Sequence, residues 1–374
     1  MTRRLEKEDD SRQGFPHYML KEIHEQPRVL EITLASLLQG TTALDMLGID
    51  PRYAKSIQRI EFAACGTSWH AALIARRAIE ELVGIPTTAD IASEYRDWPR
   101  RQREGTLTIV ISQSGETTDT LEALRSAKRA GFRTGAIVNV PGSTISREAD
   151  GTIVTQAGPE VAIASTKAFT CQVAALLSIA LGLGRMRGTM DAARERAVVQ
   201  ALERLPRQVE GILRNVGSLA RDLAREQLKP HDFFYLGRGY GYPVALEGAL
   251  KLKETSYVHS EAYPSGEFRH GPIALISEGV PVVAVAARSR VHDKILANLD
   301  DIREKGGTVI AVGTEGDADL ERRAHRVLPI PETDEVAMPI LAVVPLQLFA
   351  YEVAVSRGRE VDSPRHLSKA VLGN

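Results

Sequence analysis

The feature that most constrains this fold is a spacing that occurs twice. Ile60-Glu61-Phe62-Ala63-Ala64 runs into Cys65, and 47 residues later Thr108-Ile109-Val110-Ile111 runs into Ser112. In the second half, Phe233-Phe234-Tyr235-Leu236 is followed by Val283 at the same interval of 47. Glycine-led strands then open at Gly131 and Gly306, and last strands at Thr152 and Arg326, each before a long apolar helix. Short β-branched runs alternating with helical periodicity read as buried parallel strands joined by crossover helices. A duplicated α/β unit, each copy a parallel sheet with helices on both faces, accounts for the pattern better than one large sheet. The expected organisation is a helical arm over 1–45, a first unit over 46–190, a helical linker over 191–227, a second unit over 228–358 and a tail or lid over 359–374. Within the arm, helices between Tyr18 and Gly40 are expected to break near Pro27.

Composition removes several functions. A net charge of −1 leaves no electrostatic footprint for nucleic acid or an anionic membrane. Cys65 and Cys171 are the only cysteines, so neither a disulfide framework nor a zinc cage is indicated. Met1 to Asp10 is charged and has no apolar signal core, which with the cysteine usage points to the cytoplasm. Ala168–Gly184 and Val336–Val355 approach membrane-spanning length but carry Gln172, Pro339, Pro345, Gln347 and Glu352. Both read as buried helices of a soluble protein.

The chemistry concentrates in a few stretches. Ser112-Gln113-Ser114-Gly115-Glu116-Thr117 lies between a strand and a helix. Backbone N–H groups and hydroxyls at a helix N-terminus suit an anion, and the absence of a P-loop lysine favours a single phosphate monoester over a nucleotide. The same residues would also serve as simple helix caps. The second unit has Ala286-Ala287-Arg288 at the matching place, so the phosphate site belongs to the first. Thr67 and Ser68 end a neighbouring strand, where sheet ligands gather; Ser165 reads as a helix cap or a sugar contact. Glu247, Lys251 and Glu254 share one helix face, either as a solvated charged stripe or as a carboxylate and amine for proton transfer at a carbonyl. His270 stands in a turn-rich stretch with no second ligand at metal spacing. Lys369, in the basic segment Pro364–Lys369, is either a solvated tail residue or part of a lid.

Taken together, Cys65–Ser68, Ser112–Thr117, Ala164–Phe169, Glu247–Glu254, Glu261–Pro272 and Pro364–Lys369 follow the order found in one family. The chain resembles the isomerase half of the glucosamine-6-phosphate synthases, built from two sugar isomerase (SIS) domains. The resemblance runs from His17 to Lys369, and the Ala249–Glu254 helix and Pro364–Lys369 tail are its most specific parts. It implies two flavodoxin-like domains, a hexose 6-phosphate substrate and neither metal nor organic cofactor. Ser112, Gln113, Ser114 and Thr117, with Ser68, match the phosphate site, and Thr67, Ile163 and Ser165 match positions lining the sugar. Glu254 matches the base moving a proton between C1 and C2, and Lys251 the lysine assisting it. His270 matches a ring-opening histidine supplied by the neighbouring subunit, which implies a homodimer. Lys369 matches the lysine that forms an imine with the open ketose.

The beginning of the chain departs from the synthase pattern. Thr2, not cysteine, follows Met1, so no glutamine hydrolysis by the family's cysteine nucleophile is expected and ammonia would come from a separate source. Val371-Leu372-Gly373-Asn374 also differs from the synthase ending. The alternatives are a stand-alone SIS-type glucosamine-6-phosphate deaminase and a non-catalytic module sensing a sugar phosphate. A sensor has no use for Glu254, His270 and Lys369 together.

Overall fold

The computed structural model describes residues 11–39, 42–98 and 103–369. The departures at Met1–Asp10 and Val371–Asn374 lie outside these residues, as do the ends of the expected arm and tail. The chain opens with helix α1 (Tyr18–Leu37) and two short helices, α2 (Thr42–Met46) and α3 (Pro51–Ser56). The first unit follows as β1 (Arg59–Ala64), α4 (Gly66–Leu82), β2 (Thr87–Ile91), α5 (Ala92–Asp97), β3 (Thr106–Ser112) and α6 (Thr118–Arg129). It continues through β4 (Arg133–Val138), α7 (Thr144–Glu148), β5 (Gly151–Val154) and α8 (Lys167–Arg187). After α9 (Ala192–Glu226) comes the second unit: β6 (Asp232–Gly237), α10 (Gly241–Ser256), β7 (His259–Pro264), β8 (Pro281–Val285) and α11 (His292–Glu304). It ends with β9 (Thr308–Thr314), α12 (Ala318–Glu321), β10 (Arg326–Ile330) and α13 (Met338–Ser356).

Both sheets are parallel throughout, ordered β2-β1-β3-β4-β5 and β7-β6-β8-β9-β10. The duplication is therefore one of topology as well as spacing, and each unit has the flavodoxin-like strand order. β3 is buried along its whole length, as its unbroken apolar run requires. One outer core lies between the first sheet and α5–α7, around Tyr95, Val110 and Leu124. A second covers the far face of the other sheet, around Phe234, Phe268 and Val282. The largest core is shared by both units: α1, α4, α8, α9, α10 and α13 pack between the two sheets. The two apolar helices α8 and α13 are long enough to cross a membrane, and both are sheathed by this core, 100% and 94% buried over their most apolar windows.

Three sequence expectations change here. The expected helical linker is a 35-residue helix, α9, but it is more than a connection: its buried Val198, Leu202, Leu205, Val209, Ile212 and Val216 form a stripe at helical spacing. It packs on α13 and α1 and is part of the core. Helix α1 does not break at Pro27. Proline deprives the Ile23 carbonyl of its helical donor, and the Gln26 side chain supplies a replacement, its Nε2 donating to Ile23 O at 3.0 Å. Finally, the stretch expected to be turns from Glu261 onward begins as strand β7. Among the described residues it pairs on one side only, with β6, and an edge position tolerates its polar residues and terminal Pro264.

Candidate active site

β1 and β3 are neighbours, Ala64 beside Ile111, so the turns leaving them lie side by side at the carboxyl end of the sheet. This is the point where strand order reverses, the usual ligand position in such sheets. The Cys65 sulfur lies 3.7 Å from Thr120 Oγ1, joining the first turns of α4 and α6. Inside the loop, Ser112 Oγ accepts from the Gly115 N–H at 3.0 Å and lies 3.2 Å from Thr117 Oγ1. Ser114 Oγ accepts from the Glu116 N–H at 3.1 Å, and Gln113 O accepts from the Asn139 N–H at 3.0 Å. Gly115 has φ +68°, and a Cβ there would come within 2.0 Å of Ser143 Oγ, so only glycine fits this turn. Thr117 occupies the N-cap position of α6, yet its hydroxyl accepts nothing from the helix's first turn. Capping therefore does not account for Thr117. Ser68 is buried in the first turn of α4.

Helix α10 crosses to α4, and a chain of polar contacts joins them. His70 Nδ1 donates to Glu247 Oε2 at 2.7 Å, and Thr67 Oγ1 donates to Glu247 Oε1 at 3.1 Å. Lys251 Nζ lies 3.2 Å from Glu247 Oε1, donates to Thr67 Oγ1 at 3.1 Å, and is ion-paired on its other side with Glu254. The side chains of Glu247 and Lys251 are 0% and 1% exposed, which excludes a solvated charged stripe. Burial pushes Lys251 toward neutrality, but the Glu247 and Glu254 carboxylates outweigh it and hold the ammonium above the usual lysine range. Burial also raises the Glu254 carboxyl above its ordinary 4.5, despite the opposing pull of Lys251 and Lys369. A carboxylate so placed is a stronger base than one in water.

The tail packs against the same region. Arg365 stacks on Tyr257, the residue closing α10, with its N–H on the Tyr257 hydroxyl at 2.8 Å. Lys369 Nζ donates to Glu160 Oε2 at 2.7 Å and to Ala162 O at 2.6 Å. The other Glu160 oxygen accepts the Thr166 and Ala168 N–H groups at 2.8 and 3.1 Å, at the start of α8. Burial alone would raise Glu160, but the Lys369 ammonium and these donors hold its carboxyl below the usual range. Glu22 on α1, buried and facing Glu160, is pushed up to about 8. The residue at the N-cap of α8 is Thr166, so the capping alternative for Ser165 falls away. Ile163 sits in the same loop, its N–H donating to Asp362 O at 3.0 Å.

The sugar isomerase (SIS) domain model matches residues 54–182 and again residues 228–357. The chain belongs to the SIS family. A glutamine–fructose-6-phosphate aminotransferase (isomerizing) of Thermus thermophilus is 47% identical over 361 residues, 96% of this chain and 59% of that protein. This chain thus spans about three-fifths of the length of such relatives. The C-terminal domain of glucosamine-fructose-6-phosphate aminotransferase from Francisella tularensis superimposes with a TM-score of 0.89. It is 37% identical and matches over 94% of this chain and 100% of its own. A glucosamine-6-phosphate deaminase from Thermotoga maritima gives a TM-score of 0.74 at 26% identity, covering 95% and 99% of the two chains. The two SIS domains here correspond to the isomerase half of the aminotransferases.

His270 stands apart from this cluster. In the second SIS domain α10 runs back along the sheet from the end of β6 to the start of β7, so Glu254, near its C-terminus, lies at the amino end of the strands. His270 follows the carboxyl end of β7, exposed in a turn between two 3₁₀ segments. The two residues thus lie toward opposite ends of the six-residue β7, which spans about 20 Å. The sequence reading missed His70 and Glu160 and left Glu247 outside its candidate set. His70 offers no signal beyond being a histidine in the first turns of an amphipathic helix, and Glu160 lies in an irregular loop. Glu247 was visible in the shared charged face.

Proposed function

We propose that the chain is a sugar-phosphate isomerase acting on hexose 6-phosphates, of the type that forms the isomerase half of glucosamine-6-phosphate synthases. The observation carrying this reading is the buried Glu247–Lys251–Glu254 cluster together with a second lysine, Lys369, whose charge is felt at Glu254. In this reading the phosphate occupies the Ser112–Thr117 loop with Ser68, and Thr67, Ile163 and Ser165 line the sugar. Lys369 adds to the C2 carbonyl of open fructose 6-phosphate, losing water to form an imine, and Glu254 carries a proton between C1 and C2 beside Lys251. The amine attacks only when neutral, so its proton must leave, and Glu160 is the carboxylate in contact with it. Ammonia from a separate source would replace Lys369 and yield glucosamine 6-phosphate; without it the product is glucose 6-phosphate. The similarity to the Thermotoga enzyme favours a second reading, deamination of glucosamine 6-phosphate.

One assay separates these readings: fructose 6-phosphate alone, fructose 6-phosphate with ammonium, and glucosamine 6-phosphate alone. Isomerisation with the first is expected. Ammonia release from the last, far outpacing isomerisation, would favour the deaminase, and tight binding without turnover of any of the three would favour a sensor. Ser114→Ala and Thr117→Ala should each weaken hexose 6-phosphate binding by about 1.5–3 kcal/mol, the worth of a donor to a charged acceptor. Unchanged affinity by titration calorimetry in both variants would remove the loop from the site.

The separation of His270 from Glu254 supports a homodimer in which His270 opens the ring in the partner's site. An equimolar mixture of His270→Ala and Glu254→Gln subunits should then recover up to about a quarter of native activity, since about half of the dimers are mixed and one of the two sites in each regains both groups. No recovery after subunit exchange has been demonstrated by mass would put His270 to work in its own subunit.

A further inference from the structure

The polar chain beneath Glu254 ends in a residue that the proposed reaction does not use. His70 is 6% exposed on α4, in the first SIS domain, and its Nδ1 meets a carboxylate on α10, in the second. Glu247 has no exposure to water, and its two oxygens are served by His70, Thr67 and Lys251. Oε2 has His70 as its hydrogen-bond donor, while Oε1 competes with Glu254 for the Lys251 ammonium. A buried carboxylate that loses a donor leans harder on its remaining cation.

We propose that His70 is a positioning residue which, by holding Glu247, leaves the Lys251 ammonium free to serve Glu254 and so sets the pH at which Glu254 acts as base. The assignment rests on the isomerase reading of the same site. The charged groups facing Glu254 are Lys251 and Glu247 from α10 and Lys369 from the tail, with His70 from α4 acting through Glu247. Removing the His70 donor shifts Lys251 toward Glu247, and the Glu254 anion loses support. Removing the Glu247 charge does the opposite, because a like charge leaves and Lys251 serves Glu254 alone.

The test is the pH dependence of C1 proton exchange from fructose 6-phosphate in heavy water. In His70→Leu the acid limb should move to higher pH, so that exchange on that limb drops about 3- to 10-fold, up to one pH unit. The plateau rate and KM should change less than twofold. His70→Asn, which returns a donor near the place of Nδ1, should bring the limb back toward that of the unsubstituted protein. Glu247→Gln, matched in volume, should move the limb to lower pH. A limb unmoved in His70→Leu, or shifted in the same direction as in Glu247→Gln, would overturn the assignment. Should His70→Leu not fold, as judged by circular dichroism, the Glu247→Gln shift decides alone, and its absence overturns the proposal. A protein that binds fructose 6-phosphate but exchanges no proton at any pH would overturn the isomerase reading itself, and this assignment with it.

Discussion

Fructose 6-phosphate incubated with the Glu254→Gln protein in heavy water is expected to keep its C1 protons. Glutamine fills the space of glutamate and can still accept a hydrogen bond from Lys251, but it cannot take a proton from carbon. The loss should therefore fall on turnover, by about 10²–10⁴-fold, the range for removing a general base. Substrate affinity, which in the proposed reading rests on the Ser112–Thr117 loop, should stay within about twofold of the unsubstituted protein. In the unsubstituted protein the exchange rate should fall as pH drops through the Glu254 pKa. Burial raises that pKa above 4.5, so the fall begins at higher pH than for a carboxylate in water. Nuclear magnetic resonance of the sugar reads both results. Exchange that persists at the native rate would assign the proton transfer to another group.

The second large effect is on stability. Lys251→Met removes the one ammonium lying between Glu247 and Glu254, whose side chains are 0% and 15% exposed. Breaking a buried pair by deleting one partner leaves charge uncompensated, and about 3–5 kcal/mol of destabilisation is expected at neutral pH. The pH dependence has a definite sign. Glu254 already sits above its ordinary pKa through burial, and losing Lys251 takes away an influence that lowers it. Its folded-state pKa then rises further above the unfolded value, so the folded state holds the proton more tightly. The deficit is full above the folded pKa and shrinks as pH falls through it. Calorimetric melts of both proteins at neutral and mildly acidic pH measure this. Equal midpoints for the two proteins at neutral pH would mean that Lys251 does not hold these charges.

Much of the architecture was legible because it rests on short unbroken apolar runs and on a helical period of 3.6. The apolar runs of β1, β3, β6, β8 and β9 and the helical stripes between them read directly, and so did the burial of α8 and α13. What was not legible depended on contacts far along the chain. Pro27 looked like a helix break because local rules know nothing of Gln26 turning back onto the Ile23 carbonyl. β7 carries no alternating pattern because it is an edge strand, paired among the described residues with β6 alone. At the site, the serine loop and the Glu247–Glu254 face were visible as motifs on single elements. His70 and Glu160 were not, since each matters through a residue more than 170 positions away or through a tail that folds back. Ser165 had two readings until the N-cap of α8 fell at Thr166.

Asp362 also gives the molecule a mechanical linkage. Its carboxylate receives the Tyr18 and Met19 N–H groups at 3.0 and 2.9 Å, fastening the head of α1 to the tail that carries Lys369. The same helix reaches the other side of the Lys369 cradle through Glu22, which accepts from the Val161 and Ala162 N–H groups. The amine is thus suspended between two struts rooted in one lever. One helix therefore fixes the tail and the 161–162 loop together, and the placement of the Lys369 nitrogen depends on α1 through contacts that involve neither sheet.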